Sequence, residues 1–352
     1  MIGLWPKGGD VYKFNRYTLY AAVSISFFIS AIGVLLIIDL FFVDSDFEDL
    51  EEMTLIYVAE FLVIIKVYCF MRNIKLIKHL MATLNTDMFQ PKTIQQKMLI
   101  KPALNFWKLV YNIFTAAGGP LTSLWVFLPL LTKTKKIALP VSVWYPYDIQ
   151  ASPMYEITYL YQIVSVFYIV VAIYNIDMLI SALMMYTGAQ CDILCDNLRN
   201  LEDNESRNFN RKLIDCIRHH QEILIFAENC NEFFNLIFLG QFFGSSVLIA
   251  LILFRLVLNN QSYIQIFTHF LLVTFYMVQI FTYCWFGNEV QVKSRQIPYS
   301  VFESDWVQHS LEIRKSMIIF VIRSHRPVKL SAFNLFYLSL DVYIKVIVTT
   351  RL

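Results

Sequence analysis

The chain has 352 residues, 57% of them apolar and 16% aromatic, with a mean hydropathy of +0.53. That composition excludes a soluble globular domain and belongs to the membrane class. The net charge of +2 is small, and the basic residues form no stripe that would suit nucleic acid.

From the N-terminus, Lys7, Lys13 and Arg16 precede an apolar stretch at about 17–43, and Asp44, Asp46, Glu48, Asp49, Glu51 and Glu52 follow it. The stretch is too long for a signal-peptide core and lacks a small-residue cleavage site, so it is expected to remain as an anchor. Six further candidate spans lie at roughly 54–71, 109–131, 157–186, 234–258, 262–286 and 330–349. Each has about the 18–25 residues that a helix needs to cross the hydrocarbon layer, or more. Helices are expected because lipid offers no partner to free backbone groups. The connection at Leu258–Gln261 is short enough to make spans five and six a tight antiparallel hairpin. There are no internal repeats to suggest a secondary transporter.

Lysine and arginine set the orientation. The N-terminus and every second loop hold 22 of them, the other side only Lys133, Lys135, Lys136 and Arg351. Positive residues stay in the cytoplasm, so the N-terminus is expected inside and the C-terminus outside. A G-protein-coupled receptor has the reverse orientation. None of the six cysteines falls in an exported loop, so no structural disulfide is expected. Cys191 and Cys195 stand at helical spacing, but His219 and His220 lie across a polar break, and no metal site is expected.

Three polar regions lie on the basic side. The first is Arg72–Lys108. The second, about Gly188 to Asn231, carries Leu213, Ile217 and Leu224 at helical spacing and is interrupted at Glu202-Asp203-Asn204-Glu205-Ser206. It predicts two helices that extend spans four and five beyond the membrane. The third, Asp305 to Arg326, puts Trp306, Ile313, Met317 and Phe320 on one helical face, with Pro327 as its stop. That face either lies on the membrane surface or packs on the other extensions as a bundle.

No catalytic, nucleotide-binding or metal motif is present, and neither enzyme activity nor a cofactor is expected. Ala117-Gly118-Gly119-Pro120, inside span three, either kinks the helix for packing or opens space beside its outer half. Glu60 lies one to two turns into span two from the exported side, while Lys66 is expected to snorkel from the other end. Asp341 and Lys345 stand at i and i+4, acid first. They form either an ion pair facing protein or a polar stripe along a water-filled path. Tyr57, Phe61, Leu121, Trp125, Tyr161, Tyr168, Thr268 and Leu272 crowd the outer halves of spans two, three, four and six. An apolar cavity with a few polar groups suits a small volatile or lipid-like ligand.

The exported loop reads Leu139-Pro140, Trp144-Tyr145-Pro146-Tyr147-Asp148 and Ser152-Pro153-Met154-Tyr155. Span six ends Thr282-Tyr283-Cys284-Trp285-Phe286-Gly287-Asn288-Glu289-Val290, and Arg323-Ser324-His325-Arg326-Pro327 and Ser339-Leu340-Asp341 follow. In that order and spacing the set resembles the insect odorant receptor family over nearly the whole chain. The resemblance implies an odorant-gated cation channel in the plasma membrane of a sensory neuron dendrite, a heterotetramer with a shared co-receptor. It further implies an outer ligand pocket, a cytoplasmic anchor bundle joining subunits, and a last span that lines the pore with Asp341, Lys345 and Val348. The short region between spans four and five implies an odorant-tuning subunit. The expected organisation is therefore spans one to four with the pocket (1–187), extensions with spans five and six (188–329), and the last span (330–352). The gustatory relatives' Thr-Tyr and Gln-Phe pattern has no match at Thr349-Thr350-Arg351. The last span, Leu330 to Leu352, would measure about 34 Å as a helix and stop about two turns before the family's usual end. The chain would then either leave gate closure to co-receptor subunits or be a truncated, poorly conducting variant.

Overall fold

A computed structural model describes residues 16–42, 47–131, 139–141, 143–149, 151–201, 206–258, 263–304 and 306–349. The expected turn at 258–261, the break at 202–206 and the basic residues Lys7, Lys13, Lys133, Lys135, Lys136 and Arg351 fall wholly or mostly outside that set. The first span is helical as α1 (Arg16–Ile25), a π-helical turn (Ser26–Ser30) and α2 (Ala31–Phe42). Then come α3 (Phe47–Arg72), α4 (Ile74–Leu84), α5 (Ile94–Leu131), α6 (Met154–Arg199), α7 (Ser206–Leu258), α8 (Tyr263–Phe302) and α9 (Leu311–Ser324). A two-residue hairpin, β1 (Ser331–Ala332) with β2 (Phe336–Tyr337), and α10 (Leu340–Thr349) close the chain.

Among the described residues five helices are long and apolar enough to cross a bilayer, at Leu19–Asp39, Met53–Arg72, Met154–Arg199, Arg207–Leu256 and Ile266–Phe302. The third expected span runs within α5, whose interior carries Pro102, Pro120 and Pro129. Helices α6, α7 and α8 have 46, 53 and 40 residues. At 1.5 Å per residue these are about 60–80 Å long, twice the hydrocarbon thickness or more, so each continues well beyond it. The continuations meet α9 in a second core, built from Cys195, Leu198, Phe209, Leu213, Ile297, Val301, Ile313 and Met317 among others. The bundle reading of the third polar region is the one the fold adopts, with the end of α8 as an additional member. The reason is visible in the pattern: Ile313, Met317 and Phe320 repeat at helical spacing and all three are buried.

Helix α6 is the hub, packing on α3, α5, α7, α8 and the π-turn, while α3 also packs on α7. One end of the molecule carries the 139–149 loop and is called the loop end here. The other carries the helical continuations and is called the extension end.

Two expectations are corrected. Residues 330–339 do not form a helix. Phe333 and Asn334 adopt left-handed φ values of 48° and 58°, turning the chain into the hairpin. Asn is among the residues that tolerate this region. The Asn231 and Asn235 carboxamides of α7 hold the turn by accepting from Ser331 N–H at 2.8 Å and Phe333 N–H at 3.0 Å. The apolar run that reads as a span is partly hairpin core, with Leu330, Ala332 and Leu338 buried. The ten residues of α10 measure about 15 Å, half of a hydrocarbon layer. Lys66, for its part, does not snorkel. It is only 2% exposed and is paired inside the bundle.

Candidate functional site

At the loop end the chain closes over its own interior. Asp39 of α2 is 2% exposed, and its carboxylate accepts from Trp144 N–H at 2.7 Å and from the Tyr57 hydroxyl of α3 at 3.1 Å. Gln162 of α6 is likewise buried. Its Oε1 accepts from Val141 N–H at 3.0 Å, and its Nε2 donates to Val141 O at 2.8 Å and Tyr145 Oη at 3.0 Å. The hydroxyls of Tyr147 and Thr158 lie 2.7 Å apart. Val141, Val143 and Tyr145 are thereby tucked inward as a lid, and burial pushes the Tyr145 hydroxyl up to about 12. Buried polar groups need partners, and here one carboxylate and one carboxamide supply them to a loop without regular structure.

Below the lid, Tyr161 and Tyr168 of α6 face the first span. The Tyr161 hydroxyl donates to Phe27 O at 2.7 Å, and its ring meets Phe27 edge-on at 5.1 Å between centroids. Tyr168 meets Phe28 at 5.0 Å. Both phenylalanines belong to the π-turn, a local rearrangement frequent at functional sites. Tyr57, Tyr161 and Tyr168 are thus brought together around the first span, an element outside the expected four-span pocket. Trp125 packs partly buried against the main core, and beside it Tyr159 donates to Val126 O at 2.8 Å. Leu121 and Leu272 are half-buried, and Thr268 is buried with its hydroxyl on Ile264 O. Phe61 is 60% exposed, on the outward face of α3.

Deeper in the bundle lies a polar node that composition does not reveal. Lys66 Nζ of α3 donates to Asp177 Oδ1 of α6 at 2.7 Å. The Tyr283 hydroxyl and Gln279 Nε2 of α8 also donate to the Asp177 carboxylate. Gln241 Nε2 of α7 reaches Gln279 Oε1 at 2.8 Å and Ser245 Oγ at 2.6 Å. One buried carboxylate therefore ties four helices together. One turn further along α8, Gly287 receives Leu338, whose Cβ would stand 2.5 Å from a Cβ at that glycine. The Phe281 and Tyr343 rings meet edge-on at 5.3 Å, fixing α10 to α8. Asp341, Lys345 and Val348 share an exposed face of α10.

Asp39, Gln162 and Asp177 are the polar residues that sequence reading misses. A signal existed, since each is a strongly polar residue inside an apolar run, where such groups are costly and tend to be functional. The extension core holds His219 and His220, both buried. His219 Nε2 donates to Gln190 Oε1 at 3.1 Å, an orientation fixed because Gln190 Nε2 donates to Phe89 O at 2.8 Å. Burial, then the nearby Lys92 for His219 and Arg323 for His220, pushes both imidazoles down to about 4.

A bundle of membrane-crossing helices, lidded at one end and extended into a helical core at the other, defines a polytopic receptor-type membrane protein without a catalytic constellation among its described residues. The family described as 7tm Odorant receptor matches residues 46–350, and the chain belongs to that family. It is similar to Odorant receptor 10 of Aedes albopictus, 23% identical over 85% of this chain and 81% of that one. It is similar also to Odorant receptor Or1 of Anopheles gambiae, 21% identical over 97% and 88%. Among solved structures, the olfactory receptor OR5 of Machilis hrabei in complex with eugenol shares the fold, with a TM-score of 0.85 at 19% identity, over 99% of this chain and 92% of that one.

Proposed function

We propose that the chain is the odorant-binding subunit of a ligand-gated, non-selective cation channel, working with co-receptor subunits in a heterotetramer in the plasma membrane. The observation that carries this reading is the family match across residues 46–350, combined with an interior lidded at the loop end. A small, mostly apolar volatile molecule is bound in the outer half of the bundle. Its contacts are drawn from Tyr57, Leu121, Trp125, Tyr161, Tyr168, Thr268 and Leu272, whereas Phe61 is turned outward on α3. The exposed face of α10, with Asp341, Lys345 and Val348, lines the pore against neighbouring subunits. The extension core supplies the contact between subunits, because α9 leaves Ile318, Ile319 and Ile322 exposed on the side away from its own core. The loop end is extracellular and the N-terminus cytoplasmic, on the 22-to-4 distribution of basic residues.

The test is co-expression with a co-receptor, with whole-cell currents recorded across an odorant panel. Currents that need both chains and a specific odorant support the proposal. Surface-expressed chains that stay silent to a broad panel contradict it. Epitope tags at both termini, probed before and after permeabilisation, test the orientation separately.

A further inference from the structure

The lid and the central node satisfy their polar groups, but two buried oxygens between them accept from no donor. Glu60 of α3 is 9% exposed, and its Oε1 is sealed from solvent without a hydrogen bond. Ser165 of α6 is 0% exposed, and its Oγ likewise accepts from no donor. The two belong to one corner of the bundle. Ser165 follows Tyr161 by one helical turn, and the Glu60 carboxyl lies within electrostatic reach of the Tyr161 hydroxyl. That hydroxyl gives its hydrogen to Phe27 O and has none left for Glu60. The Ser165 hydroxyl beside it can only donate to it, so the Ser165 oxygen keeps its acceptor lone pairs free. Across from α3 stands Gly33 of the first span, where an added Cβ would be 4.0 Å from Glu60 Oε1.

An unpartnered buried polar atom is destabilising by about 1–3 kcal/mol, more for a charged group, and native folds seldom leave one without a reason. Two such acceptors around the Tyr161 hydroxyl, Glu60 one turn along α3 from the Asp39–Tyr57 contact, have the chemistry of a receptor for a hydrogen-bond donor. Apolar and aromatic groups stand beside them: Ile64, which faces Gly33 together with Glu60, and the Phe27 and Tyr161 rings. We infer that Glu60 and Ser165 form a polar subsite, walled by the π-turn of the first span, that selects ligands carrying an O–H or N–H donor on an apolar body. This deepens the odorant-receptor reading and rests on it. It lies at the corner of spans one, two and four, whereas the expected pocket draws on spans two, three, four and six. Sites that hydrogen-bond a ligand's donor reject the analogue lacking it far more strongly than apolar pockets reject a size change.

The experiment uses the full-length chain in lipid nanodiscs and reads binding as the ligand-induced rise in melting temperature, with no channel current needed. The probes are isomeric pairs differing in the donor, such as o-cresol with anisole and 1-hexanol with methyl pentyl ether, extended through a range of sizes. The expected result is that the donor isomers bind about 10- to 100-fold more tightly. Glu60→Leu should erase that preference while ether binding persists, Glu60→Gln should keep part of it, and Ser165→Ala should weaken it. Equal binding of the isomers, no binding across the panel, or a preference intact in Glu60→Leu overturns the inference. Donor-selective binding without odorant-evoked current in co-expressing cells would instead sink the channel reading and leave the subsite standing. Current without donor discrimination would do the opposite.

Discussion

Single residues carry more of the architecture than the 57% apolar composition suggests. Asp177 is the clearest case, since one buried carboxylate accepts from Lys66, Gln279 and Tyr283. Removing one partner of a buried ion pair leaves an uncompensated charge and costs roughly 3–5 kcal/mol, whereas replacing both can be close to neutral. Lys66→Met and Asp177→Asn should each lower the melting temperature of the detergent-purified chain sharply. The Lys66→Met/Asp177→Leu double variant should recover part of the loss, and a double variant worse than either single would contradict the pairing. Gly287 makes a steric point. A methyl group there meets Leu338 Cβ at 2.5 Å and its carbonyl at 3.2 Å, so Gly287→Ala should overpack the contact between α8 and the start of α10. About 1–3 kcal/mol of destabilisation is expected. At Gly119 an added Cβ meets nothing within 4 Å, which makes Gly119→Ala the matched control. A melting temperature for Gly287→Ala equal to that of the control would show the contact is not tight.

Whole elements depend on a few such anchors. The lid is held mainly by Gln162 and Asp39, so Gln162→Ala should speed amide exchange across 139–149 by about tenfold or more while α6 and α7 stay protected. Unchanged exchange in the loop would assign its order to apolar packing alone. The extension core makes a pH prediction. Its two histidines stand near 4 in the folded chain and near 6.5 when unfolded, so the unfolded state binds protons first as the pH falls. Their contribution is complete above about 6.5 and is lost progressively towards 4, on the order of 3 kcal/mol for each. Melting temperature should therefore fall between pH 7.5 and 5, and His219→Gln/His220→Gln should flatten that slope. A slope unchanged in the double variant would move the titration to other groups. These elements differ in how far the sequence announces them. The helical continuations and α9 were legible because Leu213, Ile217, Ile313, Met317 and Phe320 repeat at helical spacing. The hairpin at 331–337 was not, because its turn depends on Asn231 and Asn235, about a hundred residues away. The lid anchors were hidden for the same reason: hydropathy shows where a segment lies but not which distant carboxamide will hold it. The polar corner at Glu60 was half legible, since the acid stands out in an apolar run while Ser165 and the π-turn do not.

The molecule as a whole joins a lidded interior to an exposed polar face on α10 through α8. The route is short: the Asp177 node ends on Tyr283, Phe281 two residues away touches Tyr343, and Gly287 receives Leu338. In a channel subunit a ligand beneath the lid would bias this packed chain, and α10 would move against its neighbours. Dense packing lets a small shift at one end of such a chain of contacts be felt at the other. A ligand-gated channel, as proposed above, carries its response within the membrane complex itself. The most direct measurement is an outside-out patch from cells co-expressing the chain and a co-receptor, excised into solution free of nucleotides and stepped rapidly into an activating odorant. The account predicts a cation current that rises within milliseconds to tens of milliseconds and persists through repeated applications without GTP or ATP. A current that disappears on excision and returns only with GTP would contradict it.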